Sequence, residues 1–229
     1  MFITRRLGDV LQMCSSERFG GQWMLGDCTG FSFGKILITS QYCIAGATSC
    51  EGRVFVFGRT HSSDTSFAGS QVRSCRKIIS ALEKEEGDLV VVALDRPLEN
   101  FSGVLSAGRD VSLIESGHSR RQLFAIGHPF GIAQIASHIE GFFHHQFDPI
   151  FMTAHADVAQ GMSGAPVIDL DRQEVLGVLI GGERDLEWNE AESCNRSRNC
   201  SGDACSGERF ANPRSLNWLL KAATQDELY

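Results

Sequence analysis

The chain has 229 residues, with 21 Lys and Arg against 28 Asp and Glu, a formal net charge of −7 and a pI near 5.5. It has no basic run to favour nucleic acid, and no apolar stretch approaching the roughly 20 residues of a membrane-spanning helix. The length suits one unit with a sizeable core, or two small barrels sharing one.

The opening MFITRRLGDVLQM does not read as an export signal, because no long apolar segment is followed by a small-residue cleavage site. β-Rich runs then recur: FSFGKILITS (31–40), RVFVFGRT (53–60), QVRSCRKIIS (71–80), DLVVVALD (88–95), RQLFAIG (121–127), AQIASHIEGFF (133–143), PIFMTA (149–154), GAPVIDL (164–170) and EVLGVLIGG (174–182). Glycine and Ser/Asp/Asn breaks separate them. ISALEKEEG (79–87) fits either a helical turn or a charged strand end. The polar segment 183–208 reads as a loop that its cysteines must pin. A C-terminal helix opens at Asn212-Pro213, with Leu216, Leu219 and Leu220 on one face, and is expected to dock on the outside of a barrel.

Eight cysteines, an even number spread over the chain, favour disulfides and an oxidising compartment, either secreted or periplasmic. Cys194, Cys200 and Cys205 lack the spacing of a zinc site. No metal and no cofactor are expected.

Three stretches carry chemistry. In GMSGAPV (161–167) a serine between glycines can present its hydroxyl on a tight turn, with the N–H groups of Gly161 and Ser163 facing one point as an oxyanion hole. It is not the G-x-S-x-G elbow of α/β-hydrolases, because Ala165 holds the fifth position and a strand follows. In GDLVVVALDRPL (87–98), Asp88 precedes a wholly apolar run, where a carboxylate is costly unless its charge is used. In ILITSQYCIAG (36–46) a buried strand breaks at Ser40-Gln41-Tyr42-Cys43.

In their order, these stretches resemble the chymotrypsin/trypsin-like serine peptidase superfamily. The family's T-A-A-H-C reads here Thr39-Ser40-Gln41-Tyr42-Cys43. Its D-[IL]-A-L-L strand reads Asp88-Leu89-Val90-Val91-Val92, and its G-[DN]-S-G-[GS]-P reads Gly161-Met162-Ser163-Gly164-Ala165-Pro166. RQLFAIGHPFG (121–131) resembles a segment of bacterial glutamyl-endopeptidase-type members. The resemblance spans about residues 20–225. It implies an all-β fold of two antiparallel six-stranded barrels, at about 20–115 and 116–211, with a helix at about 213–225. It also implies a Cys28–Cys43 disulfide; beyond that, Cys50–Cys75 is plausible, and Cys14 can pair with any of Cys194, Cys200 and Cys205.

The resemblance further implies a triad of Tyr42 (at the histidine position), Asp88 and Ser163, and substrate contacts from Asp157, Ile180, Gly181 and Gly182. Asp157 stands six residues before the serine, where members that cleave after basic residues keep an aspartate. Leu179 stands where Glu-selective members keep a histidine. Two departures agree with each other: the N-terminal I-V-G-G is absent, and Met162 replaces the acid that would pair with it.

Tyr42 is the departure that bears on activity. An imidazole has a pKa of about 6.5, whereas a phenol has one of about 10 and takes no proton at neutral pH. None of the seven histidines (61, 118, 128, 138, 144, 145 and 155) has a sequence reason to replace it. His155 is placed to wall the pocket, and His128 to make a structural bond in its turn. The expectation is a pseudoprotease that binds a peptide or protein in a retained cleft. The alternatives are an active serine endopeptidase with an unconventional base, and a purely structural domain with a blocked cleft.

Overall fold

The structure is a computed structural model that describes residues 5–44, 49–62, 65–98, 106–107, 122–143, 150–198 and 206–223. His118, His144, His145, Cys200 and Cys205 lie outside the described residues.

The N-terminal segment places β1 (Arg5–Arg6) antiparallel to β2 (Trp23–Met24), with the short helix α1 (Leu7–Leu11) between them. The run 31–40 is a hairpin of β3 (Phe31–Phe33) and β4 (Ile36–Ser40). It turns at Gly34, whose φ of 60° suits a residue without a Cβ. A single turn of helix, α2 (Gln41–Ile44), follows directly. Next come β5 (Val54–Val56), β6 (Val72–Leu82) and β7 (Leu89–Leu94). The ambiguous segment 79–87 therefore ends strand β6 and makes the turn into β7. These five strands form one antiparallel sheet in the order β3-β4-β7-β6-β5. Among the described residues the first lobe is thus an open half-barrel of five strands.

The second lobe begins with β8 (Ser106–Ala107), which lies parallel against a later strand. Its closed part comprises β9 (Leu123–Gly127), β10 (Ile135–Phe143), β11 (Phe151–Ala156), β12 (Pro166–Asp169) and β13 (Glu174–Gly181). A hairpin of β14 (Leu186–Asn189) and β15 (Cys194–Ser197) leaves the barrel before β16 (Glu208–Ala211) completes it. The order is β12-β9-β10-β11-β16-β13, and pairing of β12 with β13 closes six strands into a barrel. Its interior is apolar, packed with Leu123, Ala125, Ile139, Met152, Val167, Leu176 and Phe210. The all-β class, the closed barrel and the final helix agree with the sequence reading.

Helix α3 (Pro213–Ala222) starts where Asn212 accepts hydrogen bonds from the N–H groups of Arg214 and Ser215. Leu216 and Leu219 are fully buried, and each stabilises the fold by about 1.5–3 kcal/mol. The stripe does not simply cover one barrel from outside. It enters a core shared by Ile36, Ile38, Leu89 and Val91 of the first lobe and Val175, Val178 and Ala211 of the second.

Among the described residues, three disulfides join Cys28 to Cys43, Cys50 to Cys75 and Cys14 to Cys194. The last ties the N-terminal segment to the β14–β15 hairpin, and Cys14 N–H to Asn195 carbonyl and Asn195 N–H to Gln12 carbonyl bonds reinforce it. Part of segment 183–208 is therefore ordered structure, not loop. No helix among the described residues is long and apolar enough to cross a membrane.

Candidate active site

The serine turn is pinned from several sides. Gly161 and Gly164 have φ of 93° and 91°, the left-handed region where glycine carries no penalty. A Cβ on Gly164 would lie 2.1 Å from the Thr29 carbonyl oxygen, so this position has no room for any side chain. The buried Thr29 hydroxyl donates to the Gly161 carbonyl (2.9 Å) and accepts from the His128 N–H (2.9 Å). Thr39 donates to the Thr29 carbonyl at 2.6 Å, and Thr29 N–H donates to the Ser163 carbonyl at 2.9 Å. These bonds join the first lobe to the Ser163 loop of the second.

Ser163 itself is half-buried. Neither its N–H nor that of Gly161 donates to any acceptor among the described residues, which leaves both available to a developing oxyanion. Met162 is fully buried in the barrel core. A thioether fills that space at no electrostatic cost, where a carboxylate would need a cation.

The acid is held just as firmly. Asp88 accepts from the buried Ser40 hydroxyl at 2.7 Å and from the Tyr42 N–H, and its own carbonyl takes the Gln41 N–H at 2.9 Å. Burial raises its pKa, against the opposing pull of Ser40, Lys84, the Tyr42 N–H and Arg209. The corner carrying Tyr42 also lies next to the serine, because the Cys43 sulfur sits 3.4 Å from the Ser163 carbonyl. The three stretches separated in sequence thus converge.

The phenol does not join them. The Tyr42 side chain is 71% exposed, and its hydroxyl bonds neither Ser163 nor Asp88. Ser40 and the Tyr42 N–H already supply Asp88 with donors, so nothing in this corner draws the ring inward. No described histidine hydrogen-bonds Ser163. His128 belongs to the frame through its N–H bond to Thr29, but its Nδ1 donates to the Ile132 carbonyl at 3.0 Å. Burial lowers its pKa. His138 stacks edge-on against Phe124.

A cleft of about 280 Å³ opens beside Ser163, lined by Phe130, Val158, Gln160, Leu179, Gly181, Gly182 and an acidic group. Of the expected contacts, Gly181 and Gly182 line it. Asp157 does not: it is exposed, and its carbonyl accepts from the Ser137 hydroxyl. Ile180 does not either, because it turns into the core shared by the two lobes. His155, on β11, is also outside the lining. The acids that do line the cleft are Glu183, Asp185 and Glu208, which lie in the segment read as loop and at its end. Their only sequence signal was the acidic character of that segment. Asp185 also fixes the serine loop, accepting from the Gln160 N–H at 2.7 Å.

Residues 28–178 match the family model of the trypsin-like peptidase domain. Among solved structures, the inactive form of the Rv3671c protease is similar at 18% identity and a TM-score of 0.50, over 85% of this chain and 82% of that one. The active form of the same protease from M. tuberculosis is similar at 18% identity and a TM-score of 0.45, over 97% and 80%. Likeness at this identity concerns the fold alone. No curated protein sequence matches the chain.

Proposed function

The chain belongs to the trypsin-like peptidase domain family, and from that premise we propose that it is a pseudoprotease, binding a peptide or protein segment in the cleft beside Ser163 without efficient cleavage. The observation that carries this is the position of Tyr42. Tyr42, which the motif resemblance puts at the family's general base, has its side chain in solvent and offers the serine no proton acceptor. The N–H groups of Gly161 and Ser163 are unengaged among the described residues, and Asp88 keeps its hydrogen-bonded place. What is missing is the step that takes the serine proton and returns it to the leaving amine. In subtilisin, loss of the triad histidine lowers kcat by about 10⁶. Three disulfides fit work in an oxidising compartment, secreted or periplasmic.

The test is peptide hydrolysis by the natural chain and by Tyr42→His. General acid–base catalysis contributes about 10²–10⁴-fold, and a gain of that order, abolished by adding Ser163→Ala, is expected. Turnover by the natural chain that Ser163→Ala abolishes would instead establish an active endopeptidase with another base.

A further inference from the structure

Glu208 is 7% exposed at the start of β16 and lines the cleft. A Cβ on Gly182 would lie 1.4 Å from its carboxylate oxygen, so the glycine is what makes room for this acid. Among the described residues a single donor, the Glu183 N–H, reaches it, while burial and the nearby Asp185 and Glu183 push its pKa up to about 7. Charge on the surrounding elements does not balance it. Glu183 is paired with Arg198 at 3.2 Å. Arg184 also lines the cleft but is exposed and makes no ion pair among the described residues; nor do Asp185 and Glu208. On β11 the register partner of Glu208 is Ala154, with His155 next along the strand. Arg209, the following residue on β16, stacks over the Phe151 ring at 4.3 Å.

A buried carboxylate without a countercharge is costly, and neighbouring acids raise the cost. A cation entering the cleft relieves both. We propose that this cleft is a cation subsite, in which Glu208 and Asp185 together receive the guanidinium or ammonium group of a basic peptide side chain. The assignment rests on the cleft being a peptide site. It moves charge recognition from Asp157, which stands outside the lining, to two acids that the sequence order does not place near Ser163. Because Asp185 also holds the Gln160 N–H, the bound cation would sit one residue from the oxyanion corner.

Calorimetry on the whole chain separates the possibilities, using benzamidine, its neutral counterpart benzamide, and capped peptides carrying Arg, Leu or Glu at one position. Benzamidine is expected to bind at least about tenfold more tightly than benzamide. Glu208→Gln should weaken benzamidine by about 10- to 100-fold, the range for a hydrogen bond to a charged group. A thermal melt checks that this variant is folded. Benzamidine affinity should rise from about pH 6 to about pH 8 as Glu208 ionises, and Glu208→Gln should flatten that rise. Equal binding of benzamidine and benzamide, or an unchanged Glu208→Gln, overturns the subsite. Peptides that bind regardless of charge, with no benzamidine binding, overturn it while leaving the peptide reading intact. Benzamidine binding without peptide binding supports the subsite and overturns the peptide reading.

Discussion

At the Ser163 end of the site, Thr29 holds the Gly161 carbonyl and the His128 N–H, and two N–H groups point at no acceptor among the described residues. At the Tyr42 end, Ser40 and the Tyr42 N–H hold Asp88 just as closely, yet the side chain this frame carries lies in solvent. The backbone frame is alike in firmness, and only the reactive group differs. The bonds that shape the site are also the joint between the lobes: Thr39 to Thr29, Thr29 to Ser163, and the Cys28–Cys43 bridge. The frame is therefore held by the fold itself, whatever side chain stands at position 42.

That contrast has measurable consequences. The largest is at Gly164. Ala at this position combines a positive φ with a Cβ driven onto the Thr29 carbonyl, and denaturant melts should show a loss of about 3 kcal/mol or more. A variant melting like the parent would mean that the serine end is not rigid.

The second consequence concerns one acid at each end, Glu208 buried and Asp88 half-buried. Glu208 has its folded pKa raised to about 7, so it gives most stability while protonated. As pH rises from its unfolded value of about 4.3 towards 7, the unfolded chain releases this proton first, and stability falls. Glu208→Gln should remove much of that decline and melt higher than the parent at pH 8. Asp88, also raised but met by more donors, should leave a shallower slope in the same direction. The smallest effect is at the other end: Tyr42→Ala should shift stability by no more than about 0.5 kcal/mol, since the ring is mostly in water. A large loss there would place the phenol inside the structure and end the contrast.

Much of this frame was readable from residue order. Asp88 ahead of an apolar strand, Ser163 among glycines and the Cys28–Cys43 pair each follow from local chemistry or from the resemblance, and the structure brings their stretches together. The strands were legible because their apolar runs are short and bounded by turn residues. What was not legible depended on contacts between distant segments. Which partner Cys14 takes is decided by how the N-terminal segment lies against the β14–β15 hairpin. The acidity of the cleft comes from Asp185 and Glu208, which are 23 positions apart and meet only when the chain beyond β13 returns to close the barrel. Asp157 was singled out by its spacing from the serine, but spacing does not determine which way a loop side chain faces. Ser40 carried no signal either, since its bond to Asp88 spans 48 residues.

Reaction of the natural chain with a fluorophosphonate, followed by intact mass, tests most directly whether Ser163 lacks a base. A serine with no proton acceptor should remain unlabelled, or label only slowly, under conditions where Tyr42→His is modified to completion. Rapid, stoichiometric labelling of Ser163 in the natural chain would contradict the assignment.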